Sequence, residues 1–159
     1  MKKILITLAA ALALGACYKP SFPSAMSFAL PKTETGAVLD LNKDLAGKPV
    51  FIAVMATYCP HCKHSVPQVN ALNDKFKDKG LVVLGMFADA TPDQIKTYVK
   101  EENVNYQTLY NAGELLQQLN VQGVPHFILL DKNHFPVKTW EGEDPTLNRF
   151  DGAVLNVLN

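Results

Sequence analysis

The sequence predicts an α/β fold: a central mixed β-sheet flanked by helices. Three observations predict it. Residues 50–56 and 81–88 are continuously apolar, as strands buried on both faces are. Segments with helical spacing follow each of them, the alternation that builds a parallel sheet. A hairpin pattern closes the chain, with strands at 124–131 and 136–140 joined by the turn Lys132-Asn133-His134. At 159 residues and with no internal repeat, one domain with a substantial core is expected.

In chain order, residues 37–41 alternate apolar and polar, which predicts a short edge strand. Leu45-Ala46-Gly47-Lys48-Pro49 is a turn leading into the strand at 50–56. The helix after Tyr58 places Val66, Val69, Leu72 and Phe76 on one face. Pro67 is expected to kink it, and Gly80 to stop it. After the strand at 81–88, Thr91-Pro92-Asp93-Gln94 starts a helix: Thr caps, Pro takes the first helical position, and Gln completes a capping box. Ile95, Tyr98 and Val99 face inward from it. Residues 106–110 form a short strand and residues 113–119 a short helix. Residues 146–158 form a closing amphipathic helix, with Leu147, Phe150, Val154, Leu155 and Leu158 on its apolar side.

The first long strand delivers the chain to Tyr58-Cys59-Pro60-His61-Cys62. Cys-x-x-Cys at a strand-to-helix junction is the layout of a dithiol/disulfide couple. One helical turn brings the two sulfurs within bonding reach. The helix N-terminus offers free N–H groups and positive dipole, which favour a thiolate on the first cysteine. Cys59 is therefore expected to be the nucleophile and Cys62 its buried resolving partner. A purely structural disulfide over so short a loop would lock little chain entropy. A zinc site would need two further Cys or His ligands at suitable spacing, and no second Cys-x-x-Cys exists. No metal and no cofactor beyond the Cys59–Cys62 disulfide are expected.

Lys plus Arg equals Asp plus Glu at 15 each, and no basic stripe suggests nucleic acid. Lys2 and Lys3 followed by the apolar residues 4–14 read as a targeting segment too short to span a bilayer. Leu14-Gly15-Ala16-Cys17 resembles a bacterial lipobox. That resemblance implies a signal peptide at 1–16 and lipidation of Cys17, which would hold the chain to a membrane. Residues 17–35, with Pro20, Pro23 and Pro31, read as the lipidated N-terminus and tether, leaving 36–159 as the folded domain. With Cys17 lipidated, a single cysteine pair remains, suited to an envelope compartment where disulfides persist.

The ordered set Leu45-Ala46-Gly47-Lys48-Pro49-Val50, Ala56-Thr57-Tyr58-Cys59-Pro60-His61-Cys62, Pro67, Gly123-Val124-Pro125 and Trp140-Glu141-Gly142 resembles the thioredoxin superfamily, in particular its TlpA/ResA-like membrane-tethered branch. The resemblance implies a thioredoxin-like fold with an extra strand–helix unit between the Cys-x-x-Cys helix and the Val124–Pro125 strand. It implies a cis Val124–Pro125 bond facing the cysteines, with Val124 pairing to substrate backbone. It implies a lipid-anchored thiol–disulfide oxidoreductase facing the periplasm, probing protein thiols or disulfides, served by a membrane redox partner and monomeric.

Against the family pattern, Tyr58 replaces the usual Trp as a packing substitute. Ala53 and Ser65 stand where relatives carry acids thought to help move protons at the buried cysteine, which argues against a strong reductant. Pro60-His61 instead resembles DsbA-type oxidants, although the 62 residues between Cys62 and Pro125 leave no room for a DsbA helical insert. Charge on His61 would favour a Cys59 thiolate and a more oxidising couple. His64 is expected at the surface, His126 near the site or turned from it by strand alternation, and His134 merely in a turn. The competing class is a copper-binding chaperone, with Cys59, Cys62 and His61 or His126 as soft and borderline ligands.

Overall fold

The computed structural model describes residues 24–88, 90–144, 146 and 148–159. The targeting segment, Cys17 and Leu147 lie outside the described residues. Among the described residues, no helix is long and apolar enough to cross a membrane.

The elements in order are β1 (Ala29–Pro31), β2 (Val38–Asp40), α1 (Leu41–Asp44), β3 (Val50–Met55), α2 (Pro60–Phe76), β4 (Val82–Phe87), α3 (Pro92–Glu101), β5 (Gln107–Leu109), α4 (Gly113–Gln118), β6 (His126–Leu130), β7 (Pro136–Glu141) and α5 (Asp151–Leu158). Five strands form one sheet in the order β5-β4-β3-β6-β7. β3 pairs with β4, and β4 with β5, in parallel; β3 with β6, and β6 with β7, run antiparallel. This is the mixed sheet expected. β4, α3, β5 and α4 lie between the Cys-x-x-Cys helix and β6.

β3 is central and buried along its whole length, which is why its sequence is continuously apolar. Its side chains alternate between two cores. Phe51, Ala53 and Met55 face the layer that holds Cys62, Val66, Val69, Phe76, Ile95, Tyr98, Phe150 and Val154. Val50, Ile52 and Val54 face the layer that holds Leu41, Leu45 and Leu116. Phe150 closes the first core, with its ring centroid 4.8 Å from Phe51, 4.9 Å from Phe127 and 5.1 Å from Trp140. At Gly85 in β4 a Cβ would sit 3.0 Å from the Tyr106 ring, so the absence of a side chain lets that ring lie against the strand.

Two expectations change. The stretch read as tether enters the fold: Met26, Phe28 and Leu30 are buried, and β1 pairs with β2 in a separate two-stranded sheet rather than β2 edging the main one. Met26, Phe28 and Leu30 recur at every second residue, the strand period, and this outweighs the Pro and Ser around them. α2 runs from Pro60 to Phe76 with Pro67 inside it. The closing helix starts at Asp151 and not at 146, because Thr146 and Asn148 are held in turns by Arg149 N–H and Asp151 N–H. The Thr91 capping box forms as expected, with Thr91 N–H donating to Gln94 Oε1 at 2.8 Å.

His134 is no ordinary turn residue. It is 3% exposed, with Nε2 3.1 Å from the Leu45 carbonyl and Nδ1 2.9 Å from the Asn42 side-chain amide. Both partners of the ring are oxygens, the Leu45 carbonyl and Asn42 Oδ1, while the Asn42 NH2 donates to Ser27 Oγ at 3.0 Å. Its own carbonyl accepts from Met26 N–H at 2.8 Å. The ring thereby fastens α1 and the N-terminal strand to the β6–β7 hairpin.

Candidate active site

β3 ends at Met55, and a three-residue turn brings Cys59 to the N-cap of α2. Cys59 has extended backbone angles, and its sulfur accepts from Cys62 N–H at 3.4 Å. An N-cap side chain takes one of the unpaired amides of the first turn; here the cap is a sulfur, so the helix terminus directs its N–H groups at the reactive atom. Pro60 fits the first helical position because its missing N–H would have had no partner.

The cysteines are in the dithiol form. Cys62 is fully buried and Cys59 is 8% exposed. Burial pushes the Cys62 thiol up to about 12, with Cys59 adding to the rise and a backbone hydrogen bond from Ala56 opposing it. Cys62 is thus held as a neutral thiol behind Cys59, the asymmetry expected of a resolving cysteine.

The Val124–Pro125 peptide bond is cis. The Val124 carbonyl lies 3.7 Å from the Cys59 sulfur and accepts from its thiol. Pro125 is buried and Val124 half-buried beside the couple. The structure therefore brings Tyr58, Cys59, Pro60, His61, Cys62, Val124 and Pro125 together. Tyr58 is not a packing substitute: it is 74% exposed and forms one wall of a groove of about 410 Å³ with Ala56, Ala88, Leu116, Gly123 and Val124. A large amphipathic ring beside the sulfur suits contact with another chain better than support of the interior.

Ala53 and Ser65 are buried beside the couple, and Ser65 Oγ donates to the His61 carbonyl at 2.9 Å. Tyr98 packs in the same core as Cys62 and its hydroxyl is buried without a partner among the described residues. Burial raises its pKa, and the negative charge of a Cys62 thiolate would raise it further.

His126 points away from the cysteines. It pairs with Val54 across β3 and β6 and lines a pocket with Met26, Leu119, Thr139 and Glu141 on the opposite face. It is consequently no ligand partner for the sulfurs, which weakens the copper-chaperone alternative. His61 and His64 are exposed, as the helix register requires. Glu143, which sequence reasoning missed, sits between them. Its Oε1 is 3.2 Å from His61 Nδ1 and its Oε2 3.1 Å from His64 Nδ1. The hydrogen bond from His61 comes first among the causes that hold its carboxyl below the usual range, and His64 adds to it. Glu143 is 79 residues from His64 in sequence, so only its adjacency to Trp140-Glu141-Gly142 could have signalled it.

Comparison with known proteins agrees with this geometry. A Redoxin family model matches residues 20–154. ResA, named a thiol-disulfide oxidoreductase, from Bacillus thuringiensis subsp. konkukian is 30% identical over 102 residues, 64% of this chain and 59% of the relative. ResA from Bacillus cereus is 31% identical over 116 residues, 72% of this chain and 66% of the relative. The chain therefore spans about three fifths to two thirds of the length of these relatives. Among solved structures, a putative thiol:disulfide interchange protein DsbE from Chlorobium tepidum superposes with a TM-score of 0.77 at 26% identity, covering 85% of this chain and 95% of that one. StoA from Bacillus subtilis, at a TM-score of 0.67 and 16% identity over 82% of this chain and 98% of that one, shares the fold. The fold is thioredoxin-like.

Proposed function

The chain belongs to the Redoxin family, and from that premise we propose that it is a protein thiol–disulfide oxidoreductase working through Cys59 and Cys62. The observation that supports this reading is the pair itself: Cys59 at the helix N-cap, 3.7 Å from the Val124 carbonyl, with Cys62 fully buried behind it.

The exchange runs in two steps. In the reducing direction, the Cys59 thiolate attacks one sulfur of a substrate disulfide; a Cys59–substrate bond forms and the other substrate sulfur leaves as thiolate. Cys62 then loses its proton and attacks Cys59, forming the Cys59–Cys62 disulfide and releasing the second substrate thiolate. In the oxidising direction a substrate thiolate attacks Cys59 and the same bonds change in reverse. Val124 offers backbone groups for an extended substrate segment, and Tyr58 flanks the groove beside it. No cofactor other than the disulfide takes part.

Residues 1–16 act as a lipoprotein signal and Cys17 carries the lipid. The domain then faces the extracytoplasmic side of a bacterial envelope as a monomer, with a membrane protein renewing its redox state. Support for this part is the basic, apolar and small-residue order ending at Cys17.

The test is the reduction potential of the Cys59–Cys62 couple in glutathione buffers, together with capture of client proteins by Cys62→Ser. A potential near about −120 mV assigns disulfide donation, and one at or below about −250 mV assigns reduction. Failure of Cys59 to form any mixed disulfide in the Cys62→Ser protein overturns the reading.

A further inference from the structure

Beside the cysteines, His61, His64 and Glu143 place two imidazole nitrogens and a carboxylate oxygen within 4.8 Å of one another. We propose that this trio is a binding site for a divalent transition cation, zinc by its chemistry, which fastens the dithiol loop to the loop following β7.

The donor set selects the metal class. Two imidazoles and one carboxylate suit zinc and its neighbours and are a poor match to magnesium or calcium, which take all-oxygen shells. Three protein ligands are also the number found where zinc keeps one position for water. The spacing agrees. Ligands held about 2.1 Å from a tetrahedral zinc lie roughly 3.4 Å from each other. His61 Nδ1 is 3.2 Å from Glu143 Oε1, His64 Nδ1 is 3.1 Å from Glu143 Oε2, and one donor atom from each residue lies within 4.8 Å of the others, a set that exposed side chains close onto one ion by small rotations. His61 and His64 stand three residues apart on α2, so both rings rise from one helix face.

The third ligand is held in place from outside the trio. Gly142 turns the chain at φ 70° and donates its N–H to the Pro125 carbonyl at 2.9 Å. Its own carbonyl accepts from Arg149 Nη2 at 2.9 Å. Gln68 of α2 donates to the Thr146 carbonyl three residues after Glu143. Glu143 thus projects from a segment anchored to the cis-proline loop, to α2 and to the start of α5. The cation bridges that segment to His61, one of the two residues between the cysteines. The cysteines contribute no ligand, which separates this site from a copper chaperone centred on the thiols.

The test uses the full-length chain carrying Cys17→Ser, with Cys59–Cys62 oxidised so that no thiol is available, freed of metal with EDTA and titrated with zinc chloride by calorimetry. Expected is one zinc per chain, with affinity at least tenfold weaker in His64→Ala and in Glu143→Gln. The thermal midpoint of the parent should rise with zinc concentration, as binding to the folded state requires. A second readout needs no ligand substitution: imidazole NMR signals of His61 and His64 shift on zinc addition while those of His126 and His134 stay. No saturable uptake by the oxidised protein, uptake equal in both variants, or shifts at His126 or His134 instead would each overturn the site. Because binding is read on the closed disulfide, its failure says nothing of thiol exchange, and failure of exchange leaves it standing.

Discussion

Alkylation of the dithiol tests how far the fold separates the two cysteines chemically. The perturbation is iodoacetamide at pH 8 on the reduced chain carrying Cys17→Ser. Iodoacetamide reacts with thiolate, so the rate follows the ionised fraction and access. Cys62 has its thiol pushed up to about 12 from an ordinary 9.0, mainly by burial. At pH 8 its thiolate fraction is then about 1 in 10⁴, against about 1 in 10 for the unperturbed thiol, a loss of roughly a thousandfold before steric exclusion is counted. Cys62 is fully buried, so access lowers the rate further. Peptide mapping by mass spectrometry over a time course should find Cys59 modified first, with Cys62 at least a thousandfold slower than a free thiol peptide and labelled at the peptide rate in urea. Labelling of Cys62 in the folded protein within tenfold of the free peptide would refute the reasoning. The linkage has a sign as well. Because the folded value lies above the unfolded one, the stability from the buried thiol is complete below about pH 9 and is lost as pH rises toward about 12. The disulfide form should lack this alkaline loss.

Three other outcomes are expected. His134→Ala removes one of two donors to the Leu45 carbonyl, which keeps Lys48 N–H, and empties a buried position; the lost hydrogen bond and packing should cost about 2–4 kcal/mol in urea denaturation, and a loss under about 0.5 kcal/mol would show that the ring is no fastening. Tyr98→Phe deletes a buried hydroxyl that has no partner among the described residues, so it should leave stability unchanged or raise it by about 1 kcal/mol, measured the same way; a marked loss would reveal a partner for that hydroxyl. His126 is held below its usual 6.5 by burial, against the opposing pull of Glu141. Its contribution is complete above about pH 6.5 and is lost as pH falls toward the lower folded value, so His126→Gln should flatten the fall in denaturation midpoint between pH 6.5 and 5; parallel curves for the two proteins would remove His126 as the cause.

The functional argument rests on how an ordinary α/β frame makes two chemically identical side chains different. Cys59 receives the N–H groups of a helix start and meets the cis-proline loop, while Cys62 turns one helical step inward into the aromatic and aliphatic core. Ala53 and Ser65 supply no acid beside Cys62, so the proton it must release on resolving a mixed disulfide has no carboxylate waiting at those positions.

What the sequence by itself determined follows from local physics. Strand β3, the Cys59 N-cap with Pro60 behind it and the Thr91 capping box are each written in adjacent residues, because burial period, φ restriction and capping act within one or two turns. The thioredoxin-like topology and the cis Val124–Pro125 bond were implied only by the resemblance of the motif order to a known family, and the structure has both. Only the tertiary structure decided the rest. Glu143 reaches His61 and His64 across 79 residues from the latter, through backbone bonds that Gly142 and Thr146 make to other elements. Tyr58 lies exposed along a groove shared with Gly123 and Val124 instead of in the core. His134 becomes a fastening because α1 and the N-terminal strand fold back onto the β6–β7 hairpin, 92 residues from Asn42 in sequence. Pairings at that separation depend on where packed layers bring the chain, and no local pattern encodes the distance between two side chains that meet only after the sheet has formed.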